Sequence, residues 1–142
     1  MKTTFFILSI IYILWGCDLL QDEYNSYDYT IEQRRDCFCS QSGVWAKLYI
    51  KADTVSSAIR ISDKYILSYN EFRRYKSIKG LFDEIALRDT ARYEVKIVMD
   101  SKNNYPAYIY FNPKPIQVSG DTVAVISDGQ LSYTTRNYSK TN

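Results

Sequence analysis

Apolar residues recur at every second position in several segments of this chain, and this period constrains the fold more than any other feature. The alternation is clearest in residues 44–61, with a break at 52–54, and it returns in residues 93–99 and 107–111 on either side of the polar segment 100–104. Successive side chains of a β-strand point to opposite faces of a sheet. The pattern therefore predicts two β-hairpins.

A third segment with the same period, residues 27–39, predicts a further strand. Its middle is polar, so we place this strand at the edge of the sheet. A last strand is predicted at 122–126, between two segments that are rich in turn residues. The remaining residues, 129–142, read as a polar C-terminal tail that frays.

One segment has a helical period instead. Its apolar residues follow Ser77, a residue type that often caps helix N-termini, and they are Ile78, Leu81, Phe82 and Ile85. We therefore predict an α+β fold, in which one amphipathic helix packs on one face of an antiparallel sheet of five to six strands. A single domain is expected at residues 27–128.

The N-terminus reads as a processing signal. Lys2 precedes a uniformly apolar stretch at residues 5–15, which is shorter than the roughly 20 residues that a membrane-spanning helix needs. The run Leu14-Trp15-Gly16-Cys17 resembles the lipobox of bacterial lipoproteins, which implies that residues 1–16 are a signal peptide. Cys17 then carries the lipid, and residues 17–26 form an acidic tether. Soluble secretion and an uncleaved anchor are the alternatives.

The amino-acid composition limits the kinds of active site and binding partner that the chain can have. The chain has no histidine, which removes the commonest general base and the commonest metal ligand. The net charge is only +2, so the balance of charges indicates no nucleic-acid partner. We expect no catalytic site, no cofactor and no metal site.

Cys37 and Cys39 are separated by one residue. Residues at this spacing in a strand share a face with Cα atoms about 6.6 Å apart, near the upper limit for a disulfide. A disulfide with a local kink in the strand is our leading interpretation. Two free thiols, a redox-active pair and a metal site are the alternatives.

Two groups of charged residues have plain explanations. The basic residues Arg73, Arg74, Lys76 and Lys79 are consistent with an anion-binding surface or, as we prefer, with a solvated loop that leads into the helix. The carboxylates of Asp83 and Glu84, and those of Asp100 and Asp121, are explained by caps, turns and solvation rather than by acid–base catalysis.

A set of landmarks points to a family. In order along the chain they are Cys37-Phe38-Cys39, a hairpin, the segment from Ser77 to Ile85, Met99-Asp100 and Tyr105-Pro106. This arrangement resembles the small bacterial lipoproteins of domain-of-unknown-function family 6174. Asn104 stands where family members commonly have glycine, and asparagine also tolerates positive φ.

These features together predict a lipoprotein of the bacterial cell envelope that faces the periplasm or the cell surface. We expect a non-enzymatic binding or structural module, anchored to the membrane by its lipid. An envelope protein is the expected partner, bound through exposed tyrosines Tyr108 and Tyr110 or through an open sheet edge. The alternative is a thiol redox protein that uses Cys37 and Cys39.

Overall fold

The computed structural model describes residues 27–40, 42–117, 123–124 and 129–141. The predicted signal peptide, the tether and Cys17 lie outside these residues. In chain order the elements are β1 (Tyr29–Cys37), β2 (Trp45–Lys51), β3 (Thr54–Arg60), α1 (Tyr69–Phe72), α2 (Ile78–Leu87), β4 (Tyr93–Met99), β5 (Pro106–Pro113), β6 (Ile116–Gln117), β7 (Val123–Ala124) and β8 (Leu131–Lys140).

Six strands form one antiparallel sheet in the order β3-β2-β1-β8-β5-β4. The two predicted hairpins are confirmed as β2–β3 and β4–β5. In the second hairpin Asn104 has φ 56°, the left-handed conformation that a tight reversal needs. The short strands β6 and β7 pair with each other apart from this sheet. Of the strand predicted at 122–126, only β7 lies within the described residues.

The predicted α+β class is wrong, because the described chain is mainly β-sheet. Its helices have only four and ten residues, whereas the strands of the main sheet have seven to ten. In α2 only Leu81 is fully buried, while Phe82 is 44% and Leu87 85% exposed. The strands supply most of the core. Strand content was underestimated because β8, the longest strand, has a polar sequence that reads as a tail, and the polar middle of β1 misplaced that strand at the edge.

The predicted positions of those two strands are corrected accordingly. β1 is not an edge strand, since β2 and β8 flank it on its two sides. Residues 131–140 do not form a frayed tail, because they are the strand β8 between β1 and β5. In both strands one face is more deeply buried than the other, so most of their residues can be polar without the strand being peripheral.

The helices cover one face of the sheet, and two core clusters lie beneath them. The first consists of Tyr29, Ile31, Ala46, Leu48, Ile50, Ala58, Leu67 and Tyr75. The second consists of Leu81, Ile109, Phe111, Leu131 and Tyr133. Ser77 caps α2 as predicted, because its side chain accepts a hydrogen bond from the Gly80 amide at 3.0 Å. The opposite face of the sheet has no helix on it in the described part of the chain.

Gln33 ties the helical layer to the centre of the sheet. Its side chain is fully buried in β1 and donates to the Lys76 carbonyl at 3.0 Å, while it accepts from the Lys76 amide at 2.9 Å. It also donates to the Thr135 hydroxyl in β8 at 3.2 Å. A buried amide that satisfies both its donor and its acceptor is stable in a core. This bridge fixes the loop from which α2 begins.

Candidate functional site

The sheet face opposite the helices carries the chain's most distinctive surface, which we call the open face. Alternation along each strand turns to this face the side chains of Glu32 and Arg34 in β1, Trp45, Lys47 and Tyr49 in β2, Tyr108 and Tyr110 in β5, and Arg136 in β8. The four aromatic side chains among them are half-buried. Aromatic and arginine side chains are the residue types that dominate binding interfaces.

Trp45 lies at the centre of a cation–aromatic group. The Arg136 guanidinium lies over its ring at 4.0 Å from the centroid, and the Arg34 guanidinium lies at 5.5 Å. Arg34 is directly opposite Trp45 in the β1–β2 register. Arg136 reaches across β1 from β8. The group thus contains one side chain from each of three strands: the Trp45 ring from β2 and the guanidinium groups from β1 and β8.

The charges of this group are held in place by acidic partners. Arg136 bonds to Glu32 at 2.9 Å, and Arg34 bonds to Asp36 at 3.0 Å. The Asn137 amide also donates to Glu32, at 2.9 Å. Side chains that are already restrained lose less conformational entropy on binding than free ones. The open face is therefore a preorganised surface of mixed charge.

Tyr108 and Tyr110, which we predicted to be exposed contact residues, do lie on the open face. Both are partly exposed, and in the β5–β8 register they lie opposite Thr134 and Ser132. Tyr110 also lines a shallow pocket of about 280 Å³ at the end of the sheet, together with Phe38 and Ser132. The tyrosines add aromatic area to the same side of the sheet that carries Trp45.

The structure brings Cys37 and Cys39 side by side, with their Cα atoms 5.3 Å apart in a disulfide arrangement. This separation is shorter than the strand spacing that we considered, because β1 ends at Cys37. The chain then turns, and the Cys39 amide donates to the Cys37 carbonyl at 2.8 Å. Phe38, between the two cysteines, is 72% exposed. Both cysteines remain partly exposed.

Arg35 is the group that sequence reasoning missed beside this pair. Its Nη1 donates to the Cys37 sulfur at 2.9 Å and to the Cys39 sulfur at 3.3 Å. Its Nε is buried and has no hydrogen-bond acceptor among the described residues. Burial raises the pKa of the adjacent Tyr133, and the Arg35 charge partly opposes that rise. The two-residue alternation of β1, which puts Arg35 on the face of Cys37, was the available signal.

The other charged candidates are held by structural contacts. Lys79 pairs with Asp83, and Glu84 pairs with both Lys76 and Arg88. Asp100 accepts from the backbone amides of the 100–104 turn. Asp121 lies outside the described residues. Ion pairing along α2 therefore accounts for half of the basic run and for the acidic pair.

The described residues contain neither a metal-binding cluster nor a helix of membrane-spanning type. No three His, Cys, Asp or Glu side chains lie close enough together there to hold a metal ion. None of the helices in the described ranges is long and apolar enough to cross a bilayer.

Comparison with known proteins gives one match. The model of a family described as "Family of unknown function (DUF6174)" matches residues 21–139, which is most of the chain. The family predicted from the sequence landmarks is thereby confirmed, whereas the lipoprotein character stays a prediction. No curated protein and no solved structure matches the chain.

Proposed function

We propose that this chain, which belongs to the family of unknown function DUF6174, is a non-enzymatic binding module that recognises another envelope protein through its open face. The observation that carries the proposal is the group around Trp45, where two guanidinium groups lie over one half-buried aromatic ring on the solvent side of the sheet. A sheet face that served only to close the core would not need half-buried aromatic residues on its solvent side. Tyr108 and Tyr110 extend the same surface.

Site-specific cross-linking in intact cells tests this use of the open face. A photoreactive amino acid is placed at Tyr110 or at Tyr49 in one pair of variants, and at Tyr69, which lies on α1 and is 68% exposed, as the matched control. We expect the same cross-linked species from both open-face positions and none from Tyr69. Cross-linking that is equal at Tyr69, or absent from both open-face positions, would refute the proposal.

A substitution in the cross-linking variant distinguishes binding from mere proximity. Trp45→Ala in the Tyr110 cross-linking variant removes the aromatic centre and should reduce the cross-linked species by tenfold or more, as for an interface hot spot of about 1.4 kcal/mol or larger. Leu87→Ala, at an 85% exposed position on the helix side, is the control and should leave it unchanged. Unchanged cross-linking in the Trp45 variant would contradict a role for this face.

We further propose that the chain is attached to a membrane of the bacterial envelope through a lipid on Cys17. The support is the short apolar stretch at residues 5–15 followed by Gly16-Cys17. Metabolic labelling with a palmitate analogue should label the wild-type protein and the Cys37→Ser variant, but not the Cys17→Ser variant. An unlabelled wild-type protein would refute lipidation without affecting the test of the open face.

A second candidate function is thiol–disulfide exchange at Cys37 and Cys39. The contact of Arg35 with both sulfurs favours it, because a neighbouring positive charge stabilises a thiolate and lowers the pKa of the thiol. In this reaction two molecules of reduced glutathione reduce the disulfide. The products are two cysteine thiols and one molecule of oxidised glutathione.

The redox candidate is tested by thiol titration of the full chain in glutathione buffers of defined ratio. A redox role predicts that the pair cycles within the range of these buffers. It also predicts that Arg35→Gln raises the pH at which the reduced thiols react with an alkylating agent, whereas Arg34→Gln, on the opposite face of β1, does not. A pair that stays oxidised throughout, or an unchanged pH profile in Arg35→Gln, would exclude this function.

A further inference from the structure

Strand β4 forms one edge of the six-stranded sheet, and no strand in the described ranges pairs with its outer side. Its C-terminal half is apolar and accessible, with Ile97 42%, Val98 56% and Met99 40% exposed. An edge strand of this kind is a template for pairing with another strand. The question is which strand has a complementary sequence.

The backbone of β4 determines which residues are available for pairing. The Lys114 amide donates to the Arg92 carbonyl at 2.8 Å, and the β4–β5 register is regular from Tyr93 to Val98. In an antiparallel pair every second residue directs both of its backbone groups to its neighbour. The backbone groups of Glu94 and Lys96 and the Arg92 carbonyl therefore point to β5, while the Arg92 N–H donates to the Asp89 carbonyl at 3.0 Å. The N–H and C=O groups of Val95 and Ile97 point outward, as does the Tyr93 carbonyl, whereas the Tyr93 N–H donates to the Asp89 carbonyl at 2.9 Å.

The side chains of β4 divide between the two faces of the sheet. Tyr93 and Val95 pack against the second core cluster on the helix side, and Ile97 continues that row. Glu94 and Lys96 lie on the open face and are exposed. The strand thus presents an apolar row on the helix side, and on the open face one acid and one base followed by Val98.

We propose that the partner of this edge is a second copy of the same chain, paired antiparallel through β4 with Val95 opposite Val95. In that register Glu94 of each copy lies opposite Lys96 of the other. Tyr93 likewise lies opposite Ile97, so the apolar rows join on the helix side. The two Val95 residues have both outward backbone groups that the ladder needs, and the Ile97 N–H of each copy can donate to the Tyr93 carbonyl of the other; the Tyr93 N–H stays bonded to Asp89.

Three alternative registers, centred on Glu94, Lys96 and Ile97, are disfavoured by charge. Pairing centred on Glu94 places the two Glu94 carboxylates opposite each other, and pairing centred on Lys96 does the same with two ammonium groups. Pairing centred on Ile97 places Glu94 opposite Asp100. Opposite charges directly across a strand pair are stabilising and like charges are destabilising. The Val95 register makes two favourable pairs and no unfavourable one between Glu94 and Lys96.

Charge reversal tests the register directly. The mass of the full chain in detergent solution is measured by sedimentation. We expect the wild-type chain to dimerise and Glu94→Lys or Lys96→Glu to weaken the dimer by about tenfold or more, because two attractive pairs become repulsive. The double variant Glu94→Lys/Lys96→Glu should recover the wild-type affinity. An equimolar mixture of the two single variants should form a mixed dimer, since their charges are complementary.

Lys102→Glu, in the exposed turn after β4, is the matched control and should dimerise like the wild type. A wild-type chain that stays monomeric would overturn the proposal. So would single variants that dimerise normally, or a mixture that fails to associate. The inference is independent of the open-face proposal, because Trp45→Ala should leave this dimer intact.

Discussion

Replacement of Gln33 is the sharpest test of how the helical layer is held on the sheet. Gln33→Ala removes three hydrogen bonds of 2.9–3.2 Å, two to the Lys76 backbone and one to the Thr135 hydroxyl. A buried group that loses its partner costs about 1–3 kcal/mol, and the truncated side chain leaves a cavity. Partial access of solvent to Lys76 reduces this cost. We therefore expect a loss of about 3–5 kcal/mol in the free energy of unfolding.

Urea unfolding of the full chain, followed by circular dichroism, measures this loss. With an m-value of about 1.5–2 kcal/mol per molar, the midpoint should fall by about 2 M. Thr135→Val removes one of the three bonds and should cost about 1 kcal/mol. Gln130→Ala, at an exposed glutamine, is the control and should change stability by less than about 0.5 kcal/mol.

Two results would refute the reasoning. A Gln33→Ala variant that loses less than about 1 kcal/mol would show that the three bonds are readily replaced by water. A loss in Gln130→Ala equal to that in Gln33→Ala would show that burial of the amide is not the cause. Gln33→Met keeps most of the side-chain volume, so the difference between the Met and Ala variants measures the packing contribution of the side chain apart from its hydrogen bonds.

Three further predictions follow from other contacts. Burial raises the pKa of four tyrosines, Tyr29, Tyr75, Tyr105 and Tyr133, above the ordinary value of 10.0, so the stability that they provide is complete below pH 10 and is lost as the pH rises through the raised pKa values. Unfolding midpoints measured from about pH 8 to about pH 12 should therefore fall only above about pH 10. A constant midpoint would contradict this. Ser77→Ala removes the cap of α2 and should cost about 1 kcal/mol in thermal or urea unfolding, whereas Ser101→Ala in an exposed turn should cost almost nothing. Asn104→Gly should retain stability because φ is 56°, whereas Asn104→Val should lose about 1–2 kcal/mol; equal stabilities would show that the turn does not require this conformation.

Local features of the structure were predictable because their causes are local. The β4–β5 turn at 100–104 follows from its run of polar turn residues. The start of α2 follows from Ser77 and from the helical spacing of Ile78, Leu81 and Ile85. Each of these depends on residues within a few positions of one another, and no knowledge of the rest of the chain is needed.

The candidate site was only partly predictable. Tyr108 and Tyr110 were correctly placed on an exposed side of a strand, because they alternate with the buried Ile109 and Phe111. The group around Trp45 was not predicted, since its members come from three strands and Arg136 lies in the segment that read as a tail. A period shows which way a side chain points, but it does not show which strand lies beside it.

The sequence alone determined the hairpins, the helix start and the family, because hydrophobic period, capping and landmark residues act over short stretches of chain. Only the tertiary structure decided that β1 and β8, which begin and end the described sheet in sequence, lie side by side at its centre. That pairing makes Gln33 a core residue and brings Arg136 over Trp45. The physical cause of the pairing is that each strand buries one face beneath the helices and leaves its more polar face on the other side of the sheet. That burial depends on contacts between residues far apart in the chain.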